Sequence, residues 1–426
     1  MGADHSGVSR ARHDVAVFHP GVQHSWQTAL ALQQLHRLCF YATSIFYRPE
    51  RWPYRIERYL PAPLARRVHA EFARFAGPAL DPARIHTFGA HEWWERIATR
   101  AGWRGLARSL DEVGNRAFGR GVAALGDRLG PSVLWGYNGS SLEAFGHARA
   151  RGVKTVLDFT SGHPRAYQAI MTEAEALYPD FVDGAPFHIP SARVAREDAE
   201  CAAADLILTG SEFAAGTLRT YVPGSALGDR LGVLPYCYDE GLFGVPPARD
   251  QRRDGPIRFL SIGQASLRKG TNLALEAIAR IPPSAATLTI VGSMAIPPTT
   301  FARYADRVDY RPSVPRSAIP GVMANADVLL APSYFEGSSL VLLEALASGL
   351  AIIQSRNAGN GATPATGLVL PEQTAQSVYS AMLTLIDDRS KLRAMQAAAP
   401  AEALRYRFSA YRENIGRLLA GLDVAR

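Results

Sequence analysis

The chain of 426 residues is too long for one ordinary hydrophobic core, which predicts two domains. Its composition, 47% hydrophobic and 20% charged, is that of a soluble globular protein, and no run reaches the roughly 18 apolar residues that a membrane span requires. The N-terminus lacks the apolar core of a signal peptide, so we do not expect secretion. The cysteines, which are odd in number and far apart, favour reduced thiols and a cytoplasmic location: Cys39, Cys201 and Cys237.

The net charge of +7 is unevenly distributed along the chain. Residues 1–120 carry 17 Lys and Arg against 10 Asp and Glu, whereas residues 121–240 carry 9 against 15. The basic stretch interleaves arginines with aromatic residues: Arg48, Arg51, Arg55, Arg58, Arg66 and Arg67 with Tyr47, Trp52, Tyr54 and Tyr59. No recognition motif accompanies this charge, so we do not expect a nucleic acid as a partner.

Residues 63–76 have the periodicity of an amphipathic helix. Its apolar stripe holds Leu64, Val68, Phe72 and Phe75. Such a helix can pack its stripe into the core of a domain, or it can lie on an anionic membrane surface. The sequence leaves both interpretations open, and the second would place the protein peripherally on the inner membrane face.

The first half of the chain predicts an α/β domain. The strands are predicted at residues 14–19, 44–47, 84–88, 132–137, 154–159, 205–211 and 232–236. Helices are predicted at 25–38 and 140–149, with another that ends near Ala204. Residues 241–255 are rich in Gly, Pro and charge, which is typical of a linker.

The second half repeats this alternation and predicts a doubly wound parallel sheet. The strands are predicted at residues 257–263, 287–292, 308–310, 328–331, 351–355 and 367–370. The helices are predicted at residues 271–280, from Ser338 or Ser339 to Ala347, at 373–399 and at 410–422. Gly349 falls where the glycine that ends a helix belongs.

The stretch from 331 to 349 carries the strongest candidate site. Glu336 follows a buried strand, at the edge of an open α/β sheet where ligands bind. Gly337, Ser338 and Ser339 are small and precede a helix, so their N–H groups can meet a phosphate. Glu344 lies one to two turns into the helix, where a second carboxylate can meet further hydroxyls.

A second candidate loop follows the strand at 257–263. Arg268 and Lys269 are adjacent cations between that strand and the next helix, and they can bind a diphosphate as a planar fork and a point charge. In the first half, His163 follows the strand at 154–159, where a structural role and a role in a site are both open.

Taken together, the two loops resemble the donor half of a GT-B glycosyltransferase, specifically of glycosyltransferase family 4. The resemblance rests on Gly263 with Arg268-Lys269-Gly270, on Pro332-Ser333 with Glu336-Gly337, and on the Glu336–Glu344 spacing. It implies two Rossmann-like domains that face a cleft. The implied acceptor domain is 1–240, the linker 241–255 and the donor domain 256–404, with residues 405–426 returning to the first domain.

The resemblance also implies roles for individual residues. Glu336 would orient the hydroxyls of the donor sugar, His163 would contact the sugar or acceptor, and Arg268 and Lys269 would stabilise the diphosphate. Donor-binding positions would be Gly21, Gly263, Val314, Gly337, Ser338, Ser339, Leu340 and Glu344, where Glu344 binds the ribose and the loop with Val314 meets the base.

The implied reaction is retaining transfer of a sugar from a nucleotide-diphosphate sugar to a glycan or lipid-linked acceptor. The sequence has no Asp-x-Asp motif and no His/Cys cluster at zinc spacing, so we expect neither a metal nor another cofactor. Two alternatives remain open: a non-catalytic GT-B subunit that binds nucleotide sugars, and another GT-B enzyme such as an epimerase.

Overall fold

The computed structural model describes residues 13–21, 24–73, 79–88, 103–184, 188–244 and 255–424. These residues form two compact units. Unit 1 comprises the residues up to Asp158, Ala195–Ile207 and the residues from Ile415 onward, and unit 2 comprises Phe159–Val194 and Leu208–Asn414. The domain boundaries given above stay predictions, and residues 245–254 of the predicted linker lie outside the described residues.

Seven strands form the first sheet of the described chain. They are Val15–Phe18 (β1), Leu38–Thr43 (β2), Ile85–Thr87 (β3), Val133–Tyr137 (β4), Lys154–Phe159 (β5), Leu206–Thr209 (β6) and Leu231–Val233 (β7). Their order is β3-β2-β1-β4-β5-β6-β7, and β1 is parallel to both β2 and β4. Every residue of β1 is buried, which is why a continuous apolar run marks this strand instead of an alternating pattern.

Six strands of the described chain form the second sheet. They are Ile257–Ile262 (β8), Ala286–Val291 (β9), Val308–Arg311 (β10), Val328–Ala331 (β11), Ala351–Gln354 (β12) and Gly367–Val369 (β13). Their order is β10-β9-β8-β11-β12-β13, and the pairings are parallel. The predicted doubly wound parallel architecture is therefore confirmed, and β8 and β11 flank the point where the winding reverses.

The helices alternate with these strands. In the first half they are Ser25–Gln34 (α1), Ala62–Ala73 (α2), Arg104–Leu129 (α3), Leu142–Arg149 (α4), Pro164–Leu177 (α5), Ser191–Ala203 (α6), Glu212–Tyr221 (α7), Gly224–Leu227 (α8) and Glu240–Phe243 (α9). In the second half they are Thr271–Ala279 (α10), Pro298–Phe301 (α11), Ile319–Ala324 (α12), Leu340–Ala347 (α13), Ala375–Asp387 (α14), Arg389–Ala403 (α15) and Phe408–Val424 (α16). No helix in the described ranges is long and apolar enough to cross a membrane.

Helices cover both faces of the second sheet. Neighbouring strand residues enter opposite clusters: Leu330 packs with α10 through Leu273 and Leu275, whereas Leu329 packs with α13 through Leu342. Both clusters consist of fully or nearly fully buried side chains. This two-sided burial explains the apolar run at 328–331 and fixes β11 and the loop that leaves it.

The prediction of a strand at 44–47 is wrong, because the strand is β2 and begins at Leu38. The helix before it ends at Gln34, since His36 adopts a left-handed backbone with φ 55°. The Arg37 N–H then donates to the carbonyl of Leu32 at 2.8 Å, a bond that closes helix ends. A glycine usually marks such an end, and the sequence has none here.

The prediction of one helix at 373–399 is also wrong. The helix is interrupted at Asp388, which separates α14 from α15. The Asp388 side chain accepts the Lys391 N–H at 2.9 Å and caps α15. The end of α13 follows its prediction: Gly349 adopts φ 71°, and the Leu350 N–H donates to the carbonyl of Ala345 at 3.0 Å.

Candidate active site

The two candidate loops leave adjacent strands at the switch point of the second sheet. Residues 263–270 follow β8, and residues 332–339 follow β11, which pairs with β8. The Tyr334 N–H donates to the carbonyl of Arg268 at 2.8 Å, so the backbones of the loops are joined directly. The topology therefore brings together two loops that are about 70 residues apart in the chain, as expected for a ligand crevice in such a sheet.

Glycines shape the first loop because two of its positions need a left-handed or otherwise unusual backbone. Gly263 has φ +127° and Gly270 has φ +68°. A Cβ on Gly270 would stand 2.1 Å from the carbonyl oxygen of Pro332, so a larger residue would push the loops apart. A Cβ on Gly263 would lie 3.4 Å from Cε of Lys269, which places the Gly263 backbone beside the lysine side chain.

Arg268 and Lys269 converge on Glu336. Nη1 of Arg268 donates to Oε1 of Glu336 at 2.5 Å and to the carbonyl of Phe335 at 3.1 Å. Nζ of Lys269 lies 2.7 Å from the same Oε1. The side chains are 31%, 18% and 12% exposed, so the three groups are accessible but shielded from bulk water.

This triad carries two positive charges and one negative charge. Arg offers five N–H donors and Lys three, so their contacts with one carboxylate oxygen use only part of their donor capacity. The remaining charge and donors suit an anion with several oxygens, such as a diphosphate. The carboxylate in turn holds both cations in place before any ligand arrives.

Gly337 lies at the bottom of the loop and is buried. A Cβ at this position would stand 2.0 Å from the carbonyl oxygen of Thr160, so only glycine fits. The Gly337 carbonyl accepts a hydrogen bond from Oγ of Ser211 at 2.5 Å. Gly337 therefore brings the loop after β11 against the segments that follow β5 and β6.

The residues at the start of α13 differ in part from expectation. The Ser339 N–H, which was predicted to meet a phosphate, donates to the carbonyl of Ala358 at 3.2 Å. Ser339 is the N-cap residue, but its side chain makes no capping bond, and the helix begins at Leu340. Ser338 packs against Gly210, where a Cβ would come within 2.7 Å of the serine Cβ. Protein contacts thus already occupy the Ser339 amide.

Glu344 is buried and bound by a residue that the sequence did not single out. Nη2 of Arg316 donates to Oε1 of Glu344 at 2.7 Å, and the glutamate side chain is 6% exposed. Burial raises the pKa of Glu344 above its usual value, while the positive charge of Arg316 lowers it. Arg316 lies five residues after β10. Its position close to the predicted base-binding loop was the one feature of the sequence that could have indicated a role in the site.

Val314 lies in the loop between β10 and Arg316. It is partly buried and packs, with Leu340, against the apolar cluster that contains Leu342 and Leu343. The loop is thereby fixed relative to α13. Its predicted contact with a nucleotide base stays a prediction, as does the role of Leu340.

His163 has a different environment from the one expected, because its side chain has no exposed surface. It is the N-cap residue of α5, and its Nδ1 accepts the Arg165 N–H at 3.2 Å. The ring stacks on Tyr221, with centroids 5.5 Å apart and planes at 8°. The buried ring caps α5, and this position does not match the predicted contact of His163 with the sugar or acceptor.

Tyr167, one helical turn after His163, is the residue of α5 that reaches the candidate site. Its ring meets Phe335 edge to face, with centroids 5.1 Å apart. Burial raises the pKa of Tyr167, the charge of Arg268 lowers it, and the charges of Glu175 and Glu336 raise it. The sequence does not single out this residue directly, although its i, i+4 spacing from a strand-end histidine was a usable signal.

Gly21 belongs to unit 1 and follows β1. Its carbonyl oxygen lies 2.9 Å from Nδ1 of His19, and a Cβ at Gly21 would come within 2.9 Å of that ring. Burial lowers the pKa of His19 to about 4 and that of His24 to about 3, so both are neutral at pH 7. The predicted contact of Gly21 with a donor phosphate stays a prediction.

Comparison with known proteins adds to this geometry. Residues 256–388 match the sequence family described as Glycosyl transferases group 1. Lipopolysaccharide glucosyltransferase WaaG of Escherichia coli is 31% identical over 145 residues, which are 32% of this chain and 38% of that protein. The chain thus spans well under half the length of the curated relatives it matches.

Solved structures match almost the whole chain. Sucrose-phosphate synthase from Thermosynechococcus elongatus superposes with a TM-score of 0.62 and 17% identity, covering 97% of this chain and 99% of that one. Anabaena HepE in complex with UDP-glucose gives 0.60 and 12%, covering 96% and 99%. The chain therefore has the GT-B fold. Within it, residues 256–388 are similar to the glycosyl transferases of group 1.

Proposed function

We propose that the protein is a glycosyltransferase that moves a sugar from a nucleotide-diphosphate sugar to an acceptor hydroxyl. The observation that carries this proposal is the convergence of Arg268 and Lys269 on Glu336 at the switch point of the second sheet. Two cations positioned beside one carboxylate offer charge for a diphosphate leaving group and an acceptor of hydrogen bonds from sugar hydroxyls. The group 1 family match over 256–388 supports the same reaction class.

The reaction needs stabilisation of a departing anion. When the anomeric bond breaks, negative charge develops on the diphosphate, and Arg268 and Lys269 stabilise it in a partly shielded site. Glu336 orients the sugar hydroxyls, and Glu344, held by Arg316, binds the ribose. Transfer requires no divalent metal, because the two cations supply the charge that a metal would otherwise provide. Retention of anomeric configuration is part of the proposal through the resemblance to glycosyltransferase family 4.

Tyr167 adds a hydroxyl to this site. Its ring packs on Phe335, the residue next to Glu336, and its phenol lies within electrostatic range of Arg268. We assign it a hydrogen bond to the transferred sugar or to the acceptor, which is the contact that the sequence had suggested for His163.

The donor class is supported by what the similar proteins bind. The HepE structure holds UDP-glucose, and WaaG is named a glucosyltransferase. A UDP-hexose is therefore the first donor to try, with a glycan or lipid-linked glycan as acceptor and with action in the cytoplasm, at or near the inner membrane face.

The test is donor binding measured by calorimetry. The purified chain is titrated with UDP-, GDP-, dTDP- and ADP-linked sugars, each with and without EDTA. Binding of one nucleotide class that persists in EDTA and is lost in Lys269→Ala supports the proposal. Lys391→Ala is the matched control, because that lysine is exposed near the start of α15. A folded protein that binds none of these donors would contradict the assignment.

A further inference from the structure

Residues 50–69 form a two-sided element between β2 and β3, called here the arginine–aromatic platform. Its inner side closes a small core. Tyr54, which is buried, meets Phe72 of α2 edge to face with centroids 5.1 Å apart, and both pack with Ile45. Of the helical stripe predicted for 63–76, Phe72 packs against this core and Leu64 is 46% exposed, while Phe75 lies outside the described residues.

A polar contact fixes the short 3-10 helix Tyr54–Tyr59 against α2. The hydroxyl of Tyr47 donates to Oε2 of Glu57 at 3.0 Å, and Nδ1 of His69 lies 3.1 Å from the same oxygen. This contact engages Glu57, one of only two acidic residues among the 20 of the platform. These contacts join the short helix, Tyr47 and α2 through one carboxylate.

The outer side of the platform presents large apolar side chains to solvent. Trp52 is 65% exposed, Tyr59 69% and Ile56 39%. The rings of Trp52 and Tyr59 are stacked, with centroids 6.4 Å apart and planes at 6°. With Leu64, four of the ten large apolar residues that are exposed in the described chain lie in this one element. Such a concentration marks an interaction surface.

The platform carries more positive than negative charge, with five arginines against Glu50 and Glu57. The platform holds five arginines, of which four are exposed: Arg51, Arg58, Arg66 and Arg67. Arg48, which the sequence groups with them, is instead buried and donates to the carbonyls of Pro82 and Ile85. The platform therefore exposes four arginines in addition to the aromatic pair, while Arg48, just before the platform, bonds the chain to Pro82 and to Ile85 of β3.

We propose that this platform docks the protein on an anionic lipid bilayer, with Trp52 and Tyr59 in the interfacial layer and the arginines on lipid phosphates. Trp and Tyr prefer the membrane interface because their rings are amphipathic, and basic residues are attracted to anionic leaflets. Exposed apolar and basic groups on one element match that interface better than they match a nucleic acid, which would be contacted mainly through its phosphates. Docking would place the proposed sugar transfer at a membrane surface. The docking proposal itself is argued from the platform residues alone and does not depend on the sugar-transfer proposal.

The test is flotation of the full-length protein with lipid vesicles. We expect binding at low salt to vesicles in which about a third of the lipid is phosphatidylglycerol, and little binding to pure phosphatidylcholine. Trp52→Ala/Tyr59→Ala and Arg66→Glu/Arg67→Glu should each weaken vesicle binding by roughly tenfold or more, since both the apolar and the electrostatic contributions are needed.

Matched controls are available at exposed positions elsewhere. Leu177→Ala/Leu404→Ala removes two exposed apolar side chains, and Lys391→Glu/Arg405→Glu reverses two exposed charges. Both controls should float like the unaltered protein. An unaltered thermal transition in the platform variants shows that they are folded.

Three results would overturn the proposal. The unaltered protein could fail to float with anionic vesicles, or the Trp52→Ala/Tyr59→Ala variant could float at the original level. The third is that the protein binds single-stranded RNA but not vesicles. Because the flotation assay contains no sugar donor, an absence of vesicle binding does not contradict the glycosyltransferase proposal. Conversely, an absence of donor binding in calorimetry does not contradict the membrane-docking proposal.

Discussion

Lys269 and Glu336 form an ion pair across two loops, with Nζ 2.7 Å from Oε1, and Arg268 donates to that same oxygen. The three side chains therefore act as a unit. The loops that carry them are fixed by backbone contacts and by glycines at positions where a Cβ would not fit. Little reorganisation of the cations is then required when a diphosphate binds.

Removing members of this unit should separate binding from turnover. Lys269→Ala is expected to weaken donor binding by roughly 10- to 100-fold, because a charged contact to phosphate is lost. Glu336→Gln should leave donor binding within a few-fold, since both cations remain, but lower the transfer rate by about 100-fold because the sugar is no longer oriented. Calorimetry and initial rates with the same donor measure the two effects.

Glu372→Gln is the matched control, because that carboxylate is exposed. It should change neither binding nor rate. A Glu336→Gln variant that turns over at the original rate would remove Glu336 from the catalytic residues.

Arg316 and Glu344 should be coupled. Arg316→Ala removes the charge that lowers the pKa of a buried carboxyl, so it should cost about 1–2 kcal/mol of stability at neutral pH, less than for a fully buried pair because Arg316 is half exposed. Glu344→Gln in the same chain should restore that stability but not donor binding. Urea unfolding of the two single variants and the double variant measures the coupling.

Arg303→Ala provides a comparison, since its pair with Asp180 is exposed on both sides and should contribute almost nothing. Equal losses in Arg303→Ala and Arg316→Ala would show that the burial of Glu344 has no energetic consequence.

The sequence located most of the second sheet and the two loops because their signals are local. The apolar runs of β8 and β11, the small residues before α13 and the terminal Gly349 can all be recognised within a few positions. The sequence could not show that both cations meet one oxygen of Glu336, since that contact joins residues about 70 positions apart. Arg316 was not predicted for the same reason, because its partner Glu344 is distant in the chain. The predicted position of β2 was wrong because His36 ends the preceding helix in a left-handed conformation that no glycine marks.

Gly337 should tolerate no side chain. A Cβ would stand 2.0 Å from the carbonyl of Thr160, so Gly337→Ala must displace backbone and is expected to cost about 2 kcal/mol or more and to reduce transfer strongly. Gly216→Ala is the control, because this glycine lies inside α7 with open space around it and should gain about 0.5–1 kcal/mol. Thermal unfolding measures the stability of the Gly337→Ala and Gly216→Ala variants relative to the unaltered protein. Equal stability of both variants would mean that the loop after β11 readily moves.

His163 and Tyr167 should have separable roles. His163→Ala removes a helix cap and a stacked ring, so we expect a stability loss of about 1–3 kcal/mol with transfer per folded molecule largely retained. Tyr167→Phe keeps the ring contact with Phe335, and it should lower transfer per folded molecule by about tenfold because the hydrogen bond assigned to the phenol is lost. Full activity in Tyr167→Phe, with loss in folded His163→Ala, would reverse the assignment.

Glu200 should make stability depend on pH in unit 1. Its carboxylate accepts the N–H groups of Gly139, Ser141 and Leu142, and it lies 3.6 Å from Arg196. Burial raises the pKa of Glu200 from 4.5 to about 7, the Gly139 and Ser141 N–H bonds and Arg196 oppose that rise, and the neighbouring Glu197 adds to it. The folded chain thus holds this proton more tightly than the unfolded chain.

The contribution of this proton to stability is therefore fully present below pH 4.5 and is lost as the pH rises through about 7. Glu200→Gln cannot titrate. The free energy of unfolding of the unaltered protein, relative to that of this variant, should therefore fall between about pH 5 and about pH 8, by at most roughly 3 kcal/mol. Urea unfolding of both proteins across that range measures it. A constant difference for Glu200→Gln would mean that the three N–H bonds and Arg196 keep the carboxylate ionised throughout, in which case burial is not the dominant influence on its pKa.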